Sequence, residues 1–243
     1  MTVAQVIAHR GSSAAHPDNS WAAFEAAVVE GADVIECDVQ ATRDGVLVIR
    51  HDLALGDRLV RDLSVAELEA AEPDVIRLAE LLAWAEQRRI GLLVEVKEPD
   101  ATHAVGAMVA ASAARGRIVI GGFHGPVLAQ LKTALPGVRT SFMMGSVMAA
   151  EELLRIATAY RLDGVHLCWE ARAPRPHGLL DAGLIQRLRR AGLAITLWHE
   201  EREDELRALV ALEPDGICTN TPAALRRIVD AHRARRAAIT EPS

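Results

Sequence analysis

Glu36-Cys37-Asp38-Val39-Gln40-Ala41-Thr42-Arg43-Asp44-Gly45-Val46-Leu47-Val48-Ile49-Arg50-His51-Asp52 is the stretch on which the reading of this chain turns. Asp-Gly between two apolar runs is a strong hairpin signal, because a tight turn of that kind needs a positive φ that Gly tolerates. A two-residue turn at Asp44-Gly45 sets Asp38 opposite His51, and Glu36 shares the face of Asp38 because strand side chains repeat every second residue. A longer loop shifts this register by about a residue. Two carboxylates and an imidazole then meet at the base of the hairpin. A half-exposed hairpin with incidental charges has a similar alternation, so the rest of the chain must decide between them.

Eight Val- and Ile-rich runs stand out along the 243 residues: Gln5–His9, Asp33–Asp38, Leu92–Lys97, Ile118–Phe123, Arg139–Met144, Gly164–Trp169, Ala194–Trp198 and Asp215–Thr219. Amphipathic segments follow them at Ser20–Glu30, Leu78–Arg89, Ala101–Ala114, Pro126–Ala134, Met148–Tyr160, Leu179–Ala191, Arg202–Leu212 and Pro222–Arg235. Asn19 or Ser20 caps the first, and Thr221-Pro222 opens the last. Eight βα units in a chain of this length predict a (β/α)₈ TIM barrel over residues 1–236, with 237–243 as a disordered tail. The hairpin is an excursion after strand two, with a short insertion behind it. A doubly wound open sheet is the competing arrangement.

Composition narrows the function. Half of the residues are hydrophobic but only 3% are aromatic, so aliphatic side chains must fill the interior. A formal net charge of −6 and the lack of a basic stripe speak against nucleic acid as a partner. No apolar run reaches membrane-spanning length, and Val3 to Ala8 reads as a strand rather than a leader. Cys37, Cys168 and Cys218 are widely spaced and form neither a disulfide framework nor a zinc motif. A reduced, cytoplasmic protein is the expectation, with oligomeric state left open.

Barrel active sites lie at the C-terminal ends of the strands. There the sequence puts His9-Arg10 on strand one, Glu36 and Asp38 on strand two, and Glu95 and Lys97 on strand three, with the hairpin returning His51 to the same rim. Three carboxylates brought together repel one another and resist burial, and a divalent cation relieves both problems. An all-oxygen set (Glu36, Asp38, Glu95) suits one Mg²⁺ or Ca²⁺ rather than zinc. Arg10 and Lys97 add positive charge suited to a phosphate. His9 and His51 supply a general acid and a general base. Together these groups specify metal-assisted cleavage of a phosphate ester.

The same residues resemble the glycerophosphodiester phosphodiesterase family. Its His-Arg-Gly and Pro-Glu-Asn-Thr opening stands here as His9-Arg10-Gly11 and Pro17-Asp18-Asn19-Ser20. Glu36-Cys37-Asp38, Arg43-Asp44-Gly45, His51-Asp52 and Glu95-Val96-Lys97 match its later signatures. Trp198 fits its Trp-Thr-Val-Asn region, and Asp215 to Thr219 its last strand. The resemblance covers most of the chain. It implies a TIM barrel that hydrolyses glycerophosphodiesters to glycerol 3-phosphate and an alcohol. It also implies metal ligands Glu36, Asp38 and Glu95, acid–base roles for His9 and His51, and phosphate contacts from Arg10 and Lys97.

The departures fall where the organic part of the substrate would sit. His199-Glu200-Glu201 replaces Thr-Val-Asn, Gly122-Phe123 stands on strand four where the family has Ser-Phe and is followed by His124, and the insertion is compressed to about Leu53–Arg77. Trp198 is expected to touch the substrate. By strand alternation Glu200 then faces the mouth, as a carboxylate for a cationic head group, while His199 faces outward. Asn19 either binds near the phosphate or caps the first helix. His166 and Trp169 either line the mouth or fill the wall. Alternative functions are phospholipase D-like activity on lysophospholipids, which needs an apolar rim, and a non-catalytic barrel that binds a phosphorylated ligand.

Overall fold

The computed structural model describes residues 4–167, 169, 173–180 and 182–240. Strands and helices alternate through β1 (Gln5–His9), α1 (Trp21–Val29), β2 (Val34–Ala41), β3 (Leu47–Ile49), β4 (Ala54–Leu55), β5 (Arg58–Leu59), α2 (Val65–Ala71), β6 (Ile76–Arg77) and α3 (Leu78–Arg88). They continue through β7 (Gly91–Val96), α4 (Thr102–Ala111), β8 (Ile118–Gly122), α5 (Gly125–Ala134), β9 (Arg139–Met144), α6 (Ala150–Ala159) and β10 (Gly164–Leu167). The last elements are α7 (Ala182–Arg190), β11 (Ala194–Leu197), α8 (Glu203–Ala211), β12 (Gly216–Thr219) and α9 (Pro222–Thr240). β1, β2 and β7 to β12 pair in parallel in that order, and β12 returns to β1. The barrel is therefore closed, as the alternation predicts, and the open sheet is excluded.

Period-two alternation divides the interior in two. Val6, Ala8, Ile35, Cys37, Val39, Leu92 and Val94 belong to the large core between strands and helices. Ile7, Val34, Leu93 and Cys218 form a smaller cluster inside the barrel, with Val119 and Trp198 packed on it. Below the site, one device repeats. Asp33, Asp163 and Asp215 each precede a strand and accept the N–H of Val6, Thr140 and Ile195 on the neighbouring strand. Polar groups at that end are thus bound into the strand starts.

The hairpin corrects one expectation. Its loop has three residues, Arg43 to Gly45, so Val39 pairs with Ile49 and Asp38 lies level with Arg50 rather than His51. Thr42 is the reason. Its hydroxyl lies 2.6 Å from Asp44 Oδ1 and accepts from Val46 N–H, which closes the turn one pair further out, with Gly45 at φ 79°. The insertion has elements of its own. Ser64 caps α2 reciprocally with Glu67, and β6 pairs with β3. At the other end α9 runs through Thr240, past the boundary set at residue 236, so 237–240 are helical. Cys168 and residues 241–243 lie outside the described residues.

Candidate active site

Parallel register assembles the centre of the site. His9 on β1 is level with Glu36 on β2, and Asp38 is level with Glu95 on β7. All four are buried and belong to the inward-facing set of their strands. One oxygen from each of Glu36, Asp38 and Glu95 lies within 4.8 Å of the others. Burial, followed by the charges of Asp38 and Glu95, pushes the Glu36 carboxyl well above its ordinary range. Burial and Asp38 also raise Glu95.

Two cations brace the cluster. Arg10 Nε lies 3.0 Å from Asp38 Oδ2, and the Arg10 N–H donates to Glu36 Oε2 at 3.0 Å. That second contact depends on a left-handed backbone at Arg10 (φ 55°), followed by Gly11 at φ 84°. A Cβ at Gly11 would lie 2.6 Å from the main chain of Ala23, so the close approach of α1 also requires glycine. Lys97 Nζ reaches Glu95 Oε1 at 2.7 Å and Asp38 Oδ1 at 3.2 Å. Burial opposes the charge of both side chains, but their carboxylate neighbours prevail and raise both pKa values. Asn19 resolves its two readings. Ser20 caps α1, while Asn19 donates to Asp38 Oδ2 at 2.9 Å and accepts the Asp38 N–H at 3.3 Å.

The three carboxylates suit a hard divalent cation. They are oxygen donors without sulfur or imidazole, they are compact and buried, and Glu36 Oε1 has no hydrogen-bond partner. Arg10 and Lys97 offset part of the negative charge.

The histidines occupy different surroundings. His9 is 5% exposed, with Nε2 3.9 Å from Glu36 Oε2 and Nδ1 2.6 Å from Asn220 Oδ1. Burial, then Arg10 and His199, lower its pKa to about 3. His51 is half-buried at the rim, its Nδ1 2.9 Å from Asp52 Oδ1. It borders a groove of about 430 Å³ that also touches Asp18, Asn19, Arg50 and Asp52. Buried Gln40 holds the segment, donating to the carbonyls of Arg50 and Asp52 at 2.8 Å each. Sequence reading missed Gln40. Its place two residues beyond Asp38 on the same face was the available signal.

The end of β11 departs most from expectation. Trp198 reaches His9 edge-on, at 5.3 Å between ring centroids, with buried His166 behind it at 6.1 Å. Glu200 does not offer a carboxylate to the mouth. It is buried against Arg202, which approaches both oxygens, and it also accepts the N–H groups of Glu201 and Arg202. His199 instead faces the site and stacks on His9 at 4.6 Å and 17°. Strict alternation fails here because the strand ends at Leu197 and the chain turns. Trp169 packs in the outer core and donates to the Ser146 carbonyl, so it fills the wall.

The model of the "Glycerophosphoryl diester phosphodiesterase family" matches residues 9–224. A glycerophosphodiester phosphodiesterase of Caldanaerobacter subterraneus is 28% identical over 92% of this chain and 97% of its own. "Probable glycerophosphodiester phosphodiesterase 1" of Mycobacterium tuberculosis is 34% identical over 54% of this chain, a match that spans 61% of the relative's length. Among solved structures, an Oleispira antarctica phosphodiesterase in complex with the product sn-glycerol-3-phosphate superposes with a TM-score of 0.80 at 21% identity, covering 94% of this chain and 97% of that one. That likeness is one of fold. No helix among the described residues is long and apolar enough to cross a membrane.

Proposed function

The chain belongs to the glycerophosphoryl diester phosphodiesterase family, and from that membership we propose that it hydrolyses glycerophosphodiesters to glycerol 3-phosphate and an alcohol. The observation that carries this reading is the buried group of Glu36, Asp38 and Glu95, braced by Arg10 and Lys97 and bordered by His9. The three carboxylates hold one Mg²⁺ or Ca²⁺. Once bound, that ion supplies Lewis-acid polarisation of a phosphoryl oxygen.

The protein's own groups do the rest. Arg10 and Lys97 bind and orient the phosphate, because both present N–H groups beside the carboxylates. Trp198 gives the glycerol backbone an apolar wall next to His9. His9 and His51 share the proton transfers. One takes a proton from the attacking nucleophile as the new P–O bond forms, and the other returns a proton to the departing alkoxide. Buried His9 is shielded from bulk water, whereas His51, beside an open groove, suits the side from which an alcohol leaves.

The test is direct. Purified protein is assayed for glycerol 3-phosphate release from a panel of glycerophosphodiesters, first with chelator and then with Mg²⁺ or Ca²⁺ restored. The expected result is turnover that chelation abolishes and one of the two ions restores. No glycerol 3-phosphate from any diester with metal present would sink the reading.

One observation favours a second substrate class. Among the large hydrophobic residues exposed at the surface, Leu53, Phe123 and Val147 lie in loops at the catalytic end of the barrel. They offer the apolar rim that a lysophospholipid would need. Comparing turnover of lysophosphatidylcholine with that of glycerophosphocholine separates the two classes.

A further inference from the structure

His9 is held on the side away from the carboxylates. Its Nδ1 lies 2.6 Å from Asn220 Oδ1, and the Ser13 hydroxyl, with a single proton to share between two acceptors, is 2.8 Å from that oxygen and 2.8 Å from the His9 carbonyl. Asn220 follows β12 directly and is fixed through both of its main-chain groups. Its N–H donates to Glu201 Oε1 at 3.1 Å, and its carbonyl accepts the Ala14 N–H at 3.2 Å. The same Glu201 oxygen lies 3.0 Å from His199 Nδ1, and the His199 ring covers one face of His9. A single carboxylate therefore anchors both the residue that touches the edge of His9 and the ring that covers its face.

An amide oxygen only accepts hydrogen bonds, so with Asn220 Oδ1 turned to the ring, 2.6 Å away, the imidazole nitrogen facing it carries the proton. In neutral His9 the other nitrogen then keeps its lone pair. That nitrogen, Nε2, is buried without a hydrogen-bond partner and points to the carboxylate edge, 3.9 Å from Glu36 Oε2. We propose that Asn220, on a loop anchored by Glu201, is a positioning residue that keeps the proton of His9 on Nδ1 and turns the Nε2 lone pair toward the carboxylate cluster. The inference rests on the proposed hydrolytic function and sharpens it, because it makes His9 the proton acceptor and leaves His51 to protonate the leaving group.

The tautomer can be measured without metal, substrate or turnover. Protein labelled with ¹⁵N-histidine is freed of metal by chelation, and the His9 resonances are assigned by their loss in His9→Gln. The expected spectrum gives Nδ1 the shift of a protonated nitrogen and Nε2 that of a bare one. Asn220→Leu should mix or reverse the two, Asn220→Asp should preserve them because a carboxylate also accepts, and Ser13→Ala should shift them less than Asn220→Leu. In the metal-loaded enzyme, Asn220→Leu should lower kcat by about 10²-fold with KM little changed, and Asn220→Asp should recover most of the loss.

A wild-type His9 protonated on Nε2 overturns the proposal, since the Asn220 amide would then be donating its N–H to the ring. An Asn220→Leu spectrum identical to wild type overturns it as well. If Asn220→Leu does not fold, the wild-type spectrum and Ser13→Ala still decide. Absence of turnover on every diester counts against the hydrolytic reading alone and leaves the tautomer result in force.

Discussion

The two histidines assigned to proton transfer are held in opposite ways. His9 lies in the barrel wall, where the pairing of β1 with β2 fixes its height and Asn220, Trp198 and His199 fix its ring. His51 lies beyond the end of β3 on a rim segment, with its ring half-buried and its main chain clasped by Gln40. The wall takes its geometry from the core, because moving β1 or β2 by one residue would turn every apolar side chain to the wrong face. The rim has no such guarantee and relies on a few hydrogen bonds. Precision in this site is therefore unequally distributed, and mutations in the two regions should fail differently.

The largest effect is expected at the wall. Glu36→Gln should weaken divalent-metal binding by at least about 10²-fold, read by titration calorimetry, with activity falling in step. The same change removes one of three mutually repelling buried carboxylates, so it should raise the melting temperature of the metal-free protein. A variant that binds metal normally, or one less stable than wild type in chelator, would show that the cluster is not a metal site built on mutual repulsion.

Next come the histidines. His9→Ala and His51→Ala should each lower kcat by about 10²–10⁴-fold without changing metal affinity. The comparison predicts a further difference. His9→Ala opens a cavity under Trp198 and should lower the melting temperature by several degrees, whereas His51→Ala at the rim should leave it nearly unchanged. Equal melting temperatures for the two variants would erase the distinction between wall and rim.

A smaller effect tests the rim itself. Gln40→Leu keeps the volume roughly constant but removes both donors to the Arg50 and Asp52 carbonyls. It should cost about 10-fold in kcat, because a loosened catalytic group loses part of its orientation. Hydrogen exchange at residues 50–53 should rise at the same time. Unchanged exchange with unchanged kcat would mean that Arg50, through its own contacts to Glu72 and the Asp52 carbonyl, holds the segment alone.

The same division separates what was legible in the sequence from what was not. Barrel, strand order and the convergence of Glu36, Asp38 and Glu95 follow from apolar periodicity, which the core enforces strand by strand. The hairpin register was off by one residue, since the Thr42 side chain, rather than the Asp44-Gly45 pair, chooses the loop length. α2 escapes the periodicity although Ser64-Val65-Ala66-Glu67 spells a capping box, because a helix of seven residues carries too little of the repeat. Extending the alternation past β11 gives Glu200 and His199 each other's directions. Alternation is a property of strands, and β11 stops at Leu197.

That last correction carries the smallest prediction. With its carboxylate engaged by Arg202 and two main-chain N–H groups, Glu200 has little charge to offer a cationic head group. Glu200→Gln should leave the ratio of kcat/KM for glycerophosphocholine against an uncharged diester unchanged within about twofold, a shift worth about 0.4 kcal/mol. Its effect should appear in stability instead. Burial alone would raise the Glu200 pKa, but the bonds to Arg202 outweigh it and bring the value below the ordinary 4.5. A carboxylate depressed in this way stabilises the fold above its unfolded-state pKa, and that contribution is lost as the pH falls through the lower folded-state value. At pH 7 the variant should thus be less stable by about 1 kcal/mol, a modest figure because Arg202 is half exposed. Below pH 4.5 the gap should narrow, and it should close once the pH is under the lower folded-state value, where wild-type Glu200 is itself neutral. A selectivity ratio that drops sharply with stability untouched would return Glu200 to the mouth of the barrel and remove the distinction between it and His199.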